Sequence, residues 1–196
     1  MITYDLTPNV VHALLTNTIQ ALNQIILVNN NHPSVLATPL IPINKDYCKK
    51  NNIPVYCFQR PGGTIIINTG DYQLITAYPE KGIDITYAVR RLHVALENLV
   101  NMLNTKYNID ASLSNNDVLI NKTYKIIGCS NYEFKTKYDN YQHLYNAVLI
   151  HISNEINQEL LSNICLEQNP QKIPSGCKDW NIDIKEVIGF LEKQLA

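Results

Sequence analysis

Arg60-Pro61-Gly62-Gly63-Thr64-Ile65-Ile66-Ile67-Asn68-Thr69-Gly70-Asp71 is a polar, glycine-containing turn that feeds a β-branched run. Paired glycines let a backbone approach a ligand closely, because no Cβ stands in the way. The isoleucine run favours a buried strand. One reading is therefore a ligand-contacting turn held at the lip of a sheet. The other is a Pro-Gly-Gly hairpin with no ligand, since turn dipeptides of this kind are common. A second stretch bears on the choice: Asn116-Asp117-Val118-Leu119-Ile120, followed by Lys125-Ile126-Ile127-Gly128.

Working outward, the flanks alternate strands and helices. On the N-terminal side, Thr7-Pro8 opens a helix with a hydroxyl cap and a proline in the first turn. Its stripe is Val11, Leu14, Leu15, Ile19 and Leu22. Ile25 to Val28 and Ser34 to Ala37 read as strands, Lys45 to Lys50 as a short helix, and Pro54 to Phe58 as the strand that leads to Arg60. On the C-terminal side come strands Thr64 to Ile67 and Tyr72 to Tyr78, with Pro79 as a stop. Asp84 caps the longest helix, whose stripe is Ile85, Val89, Leu92, Leu96, Leu99 and Leu103. His93 lies off that stripe and reads as a solvated residue. Asp117 to Ile120 and Lys122 to Cys129 form a hairpin turning near Asn121. Asn131 to Lys137 and His143 to Ile152 continue the meander. Asn154 to Ile164 is a helix, a looser stretch with Pro170, Pro174 and Gly176 follows, and Asp183 to Leu195 is the last helix. The predicted class is α+β, with a mostly antiparallel sheet flanked by helices.

The bulk properties agree with one domain spanning residues 1–196. A chain of this length buries roughly 70% of its unfolded surface. The apolar fraction is 45% and the net charge −1, so no overall field draws the chain to nucleic acid or to an anionic membrane. No segment is long and apolar enough to span a bilayer, and the N-terminus, with Asp5, lacks a basic leader. The five cysteines, Cys48, Cys57, Cys129, Cys165 and Cys177, are odd in number and include no Cys-x-x-Cys pair. That points away from zinc and from a disulfide framework, and toward a reducing, cytoplasmic setting. Cys129, on a strand, reads as core.

The two central stretches resemble the catalytic domain shared by lipoate–protein ligases, octanoyltransferases and biotin–protein ligases. Lipoate–protein ligases carry Arg-x-x-Ser-Gly-Gly-Gly-Ala-Val-x-His-Asp-x-Gly-Asn, and Gly62 to Asp71 follows that pattern with Arg60 in front. They also carry Asn-Asp-aliphatic and then Lys-x-x-Gly, which Asn116-Asp117-Val118 and Lys125 to Gly128 match. Pro33-Ser34-Val35-Leu36 and the segment Asn44 to Pro54 resemble the family's flanks. The resemblance covers nearly the whole chain in order, with no room for the small C-terminal accessory domain of some lipoate ligases.

The resemblance implies acyl transfer to a carrier-domain lysine through an acyl-adenylate, with ATP and Mg²⁺. Gly62 and Gly63 would lie along the acyl-adenylate. Lys125 would hold its carboxylate and phosphate oxygens and Asp117 the metal. Arg60, Asn116 and Gly128 complete the nucleotide-binding set. Read without the family pattern, Lys125 is a solvated lysine on a hairpin strand. The pattern is also broken: the family's His-Asp is Ile67-Asn68 here, one glycine of the loop is missing, and its His-Gly-Thr is Tyr145-Asn146-Ala147. These departures suit a second reading, a ligase-fold subunit without chemistry or cofactor, binding other protein subunits of an assembly such as a virus or phage particle. A third comes from the octanoyltransferase branch, whose Gly-Gln-Leu-Val-x-Tyr-Pro resembles Gln73 to Pro79. That branch uses a cysteine in a Pro-Cys-Gly turn. Pro174-Ser175-Gly176-Cys177 sets Cys177 two positions away, as an alternative nucleophile activated by Lys125 or Lys178 or as a plain loop cysteine.

Overall fold

The molecule is a computed structural model that describes residues 2–5, 25–37, 42–57, 64–79, 85–138, 141–166 and 172–196. In chain order the elements are β1 (Ile2–Asp5), β2 (Ile25–Asn29), β3 (Ser34–Ala37), α1 (Lys45–Lys50), β4 (Val55–Cys57), β5 (Ile65–Ile67), β6 (Tyr72–Pro79) and α2 (Ile85–Tyr107). They continue with β7 (Ala111–Ser114), β8 (Asp117–Ile120), β9 (Tyr124–Tyr138), β10 (Tyr141–Ile152), α3 (Gln158–Ile164), β11 (Ile173–Pro174), a 3-10 turn (Cys177–Trp180) and α4 (Ile184–Leu195). The large sheet has the order β1-β2-β6-β10-β9-β8-β7, with β11 pairing β9 beside that path. A second sheet has the order β4-β3-β5. Pairing is antiparallel except at β1–β2, β3–β4 and β9–β11. The α+β class with a mostly antiparallel sheet and flanking helices is therefore the observed one.

Alternation along the strands divides the large sheet into two faces. Leu74, Val118, Ile120, Val148, Ile150 and Ile152 pack against α2 and α4. The leucines of the α2 stripe, Leu92, Leu96, Leu99 and Leu103, are fully buried there. The two helices run antiparallel: Arg91 donates to the carbonyl of Leu195 at one end (3.0 Å), while Tyr107 donates to Glu186 at the other (2.6 Å). A smaller core of Val35, Ala37, Cys48, Ile53, Leu160 and Ile164 joins the small sheet to α1 and α3. The opposite face of the large sheet carries Gln73 and His151, which sit in register on neighbouring strands.

Several sequence expectations need revision. The break expected between Cys129 and Asn131 does not exist: Ser130 pairs with Leu149, and β9 runs unbroken from Tyr124 to Tyr138. The helix expected from Asn154 begins at Gln158 with Asn157 as its cap. Asn154 cannot join it, because its N–H donates to Asp71 (2.8 Å) and its carbonyl accepts from the N–H of Lys178 (3.0 Å). Strands β1, β7 and β11 are additions to the sequence expectation: at four, four and two residues they are too short for alternation alone to mark them as strands. The expected helix from Thr7 to Leu22, the Asp84 cap, Phe58 and Pro170 lie outside the described residues.

Candidate active site

Asn115 and Asn116 turn β7 into β8 with φ of +50° and +64°. Positive φ at both positions matches the twist of a tight hairpin, and asparagine tolerates it better than most residues. Ser114 therefore pairs with Asp117, which opens β8. Asn121 and Lys122, again with positive φ, return the chain to β9, and a bulge between Val118 and Leu119 offsets the register. These turns bring Asp117 and Lys125 together: Oδ1 of Asp117 lies 2.9 Å from Nζ of Lys125. The other carboxylate oxygen is also engaged, since Nζ of Lys172 lies 2.6 Å from Oδ2. Lys172 comes from the residue before β11, a position that no motif in the sequence singled out.

Gly128 explains how Lys125 fits. A Cβ at Gly128 would stand 2.8 Å from Cε and 2.9 Å from Nζ of Lys125. The lysine side chain thus lies over the glycine, in space that any other residue would fill. Gly128 is in register with His151 on β10, and His151 with Gln73 on β6. A file of polar groups crosses the sheet here. Asn30 donates through Nδ2 to Oε1 of Gln73 (2.5 Å), and Gln73 donates through Nε2 to Nδ1 of His151 (3.0 Å). Because Nδ1 accepts, the ring hydrogen sits on Nε2, facing Ser153 Oγ (3.2 Å) and Asp71 Oδ2 (3.5 Å). Burial and the nearby charge of Lys125 push the His151 pKa down to about 3, so the imidazole is neutral at physiological pH.

Asp71 is fully buried. It accepts from the backbone N–H groups of Asn68 (2.8 Å) and Asn154 (2.8 Å) and from the Asn68 side chain (3.2 Å). Burial raises its carboxyl to about 6, against the lowering effect of those hydrogen bonds. Ile67, in place of the family's histidine, is fully buried, and Asn68 is 6% exposed. The carboxylate of this loop is Asp71, and the imidazole beside it, His151, comes from β10.

A search of solved structures finds this arrangement of elements elsewhere. The chain superposes on a protein from an archaeal lipoylation system, described as a bi-partite lipoate protein ligase and its E2 lipoyl domain from Thermoplasma acidophilum, with a TM-score of 0.69 at 18% identity, covering 99% of this chain and 80% of that one. The fold is that of lipoate–protein ligases. A putative lipoate protein ligase from the same organism, with bound lipoic acid, gives 0.68 at 19% identity over 99% of this chain and 81% of that one. A lipoate-protein ligase A bound with ATP gives 0.66 at 18% identity over 93% and 76%. No protein-family model and no curated protein matches the sequence.

On this ligase fold, the site residues expected from the sequence divide into three groups. Lys125, Asp117 and Gly128 come together. Arg60, Gly62 and Gly63 lie outside the described residues. Asn116 forms the turn that places Asp117. As it stands, Asp117 does not fit a magnesium site, because each of its oxygens holds an ammonium group. Among the described residues, no group of three or more His, Cys, Asp or Glu side chains is gathered to hold a metal. The alternative nucleophile Cys177 is fully buried, in the core with α2 and α4. Burial, followed by the charges of Asp71, Asp179 and Asp183, pushes its thiol up to about 12, so it is not a thiolate at neutral pH. Burial also raises the pKa of Cys129. His93 is solvated, as expected from its place off the stripe, and lies 3.2 Å from Glu97. Among the described residues, no helix is long and apolar enough to cross a membrane.

Proposed function

We propose that the protein is a lipoate–protein ligase-type enzyme, which activates a medium-chain or lipoyl carboxylate with ATP and passes the acyl group to a lysine of a lipoyl carrier domain. In the first step a carboxylate oxygen attacks the α-phosphorus of ATP and pyrophosphate leaves. In the second the carrier lysine amine attacks the acyl carbonyl and AMP leaves. The observation that carries this reading is Lys125: its side chain is partly exposed, and its ammonium is cradled over Gly128 and braced by Asp117. A fixed cation of this kind stabilises charge that develops on the acyl and phosphate oxygens. The ligase fold supports the reading, as do the lipoic acid and ATP named for the proteins that share it.

The test is an assay with ATP, Mg²⁺, lipoate or octanoate, and a lipoyl domain, read by mass spectrometry of the carrier. Acylated carrier is expected, and Lys125→Ala is expected to lower its formation by about 10²-fold or more. The melting temperature should hardly change, because the lysine is partly solvated and such pairs add little to stability. Absence of both adenylate and acylated carrier would overturn the proposal.

One observation favours a second reading, the ligase fold kept as an interaction subunit without chemistry. Ile67 and Asn68 are buried where the family's His-Asp would stand. That reading predicts an inactive protein, and a biological role unaffected by Lys125→Ala.

A further inference from the structure

The pairing of one carboxylate with two lysines is more than a surface ion pair needs. Asp117 is the least exposed of the three side chains, at 12%, with Lys172 at 23% and Lys125 at 37%. The aspartate side chain is therefore the most buried of the three, and each lysine contacts it through its own carboxylate oxygen. Two cations share one anion, so a net positive charge is left over at a partly buried position. Like charges this close repel each other, and the shared carboxylate offsets that repulsion only in part.

Lys172 is delivered by a firmly held piece of backbone. The N–H of Ile173 donates to the carbonyl of Thr123 (2.9 Å), and the N–H of Ser175 donates to the carbonyl of Lys125 (2.9 Å). The β9–β11 register puts Pro174 beside Lys125. Beyond the strand, Ser175 Oγ donates to Asp179 Oδ2 (2.8 Å) and accepts from Trp180 Nε1 (3.0 Å), and the Trp180 ring packs against Tyr124. The lysine then reaches over β8, with Nζ 3.5 Å from the carbonyl of Ser114. Strand β8, strand β9 and the residue ahead of β11 thus carry one charge each.

We infer that Lys172 is a second ligand-binding residue of this site, and that Asp117 is a positioning residue that holds Lys125 and Lys172 as a two-ammonium clamp for an anionic group. In the proposed reaction, on which the naming of the ligand rests, that group is the phosphate of the acyl-adenylate. The leftover positive charge is what such an anion would neutralise. Charge-assisted contacts of this kind are among the stronger hydrogen bonds.

Isothermal titration with octanoyl-sulfamoyl adenosine, an unreactive mimic of the acyl-adenylate that keeps an anionic linker, tests the clamp. Lys172→Ala is expected to weaken binding at least about tenfold, as the loss of a hydrogen bond to a charged group does. Lys172→Arg should keep most of the affinity. Adenosine, which lacks the anion, should bind Lys172→Ala and the unaltered protein alike. A brace without ligand contact would not separate the two probes. Equal binding of the mimic to Lys172→Ala and to the unaltered protein would overturn the inference and leave the ligase reading standing. Inorganic pyrophosphate is the second probe. Lys172-dependent binding of pyrophosphate without binding of the mimic would support the clamp and sink the ligase reading. Binding of neither probe by the unaltered protein would overturn the clamp. For Asp117, Asp117→Asn is expected to weaken binding of the mimic in metal-free buffer, while the number of Mn²⁺ ions bound at saturating ATP, followed by electron paramagnetic resonance, stays the same. Unchanged metal-free binding of the mimic, or fewer Mn²⁺ ions bound even at saturating ATP, would overturn its positioning role.

Discussion

At the residue scale, Gly128 and the Asp71–His151 contact make distinct predictions. Gly128→Ala places a methyl where Cε and Nζ of Lys125 now lie. The obstructed atoms are the far end of a flexible side chain, so the fold should tolerate the change while the ammonium moves. Acyl transfer should fall by at least about tenfold, the scale of losing a charge-assisted contact, with little shift in melting temperature. A variant as active as the parent would show that the cradle is incidental. Asp71 and His151 act on stability with opposite signs. The carboxyl of Asp71 is raised to about 6, so the native state keeps a proton that the unfolded chain has lost above about 4. Its contribution is full below the unfolded value and is lost as pH rises through 6. His151 is lowered to about 3, so its contribution is full above about 6.5 and is lost as pH falls toward 3. With His151→Gln, stability should fall as pH rises from about 4 to 6. With Asp71→Asn, it should rise with pH between about 3 and 6.5. Urea midpoints measured across that range separate the two; parallel curves would refute the assignment.

At the scale of elements, the segment between β10 and α3 is the joint that holds the site. Ser153 donates from its N–H to the carbonyl of Ile126 (3.1 Å) and accepts at its own carbonyl from Cys177 (2.9 Å). Asn154 is tied to Asp71 and to Lys178. The 3-10 turn reaches this joint only because residue 176 is glycine. A Cβ there would stand 2.4 Å from the carbonyl oxygen of Asn154 and 2.7 Å from Cα of Glu155. Both obstacles are backbone, so neither can swing aside. Gly176→Ala should cost about 1–3 kcal/mol by overpacking. Because β11 leads straight into this turn, the variant should also disturb Lys172. A thermal melt unchanged from the parent would contradict this account.

At the scale of the whole molecule, two cores are tied through that joint. One lies between the large sheet and α2 and α4, the other between the small sheet and α1 and α3. The β5–β6 turn and the β10–α3 segment link them: Asn68 Oδ1 accepts from the N–H of Asn157 (3.4 Å), the residue that caps α3. Trp180 is the sole tryptophan and sits beside Ser175 and Tyr124. It therefore reports on the large sheet, while circular dichroism reports on both cores. The expected outcome in urea is one transition with coincident midpoints by both probes. An earlier transition by circular dichroism alone would mean that the smaller core unfolds by itself.

Local pattern was enough to read much of this chain. The leucine stripe of α2 is periodic over several turns, so its buried face was plain before any contact was known. The asparagines flanking β8 are residues that tolerate positive φ, and the hairpin at Asn121 falls where the sequence predicts it. The pattern of Asn116 to Gly128 was sufficient to single out Lys125 and Asp117. Tertiary structure alone decided what those two residues touch. Lys172 lies 47 positions beyond Lys125 by their numbers, just ahead of a strand of two residues with no periodicity to betray it, and only the register of β11 on β9 brings it to Asp117. The neutral state of His151 and the burial of Cys177 follow from packing, since desolvation depends on what surrounds a group and not on its neighbours in the chain.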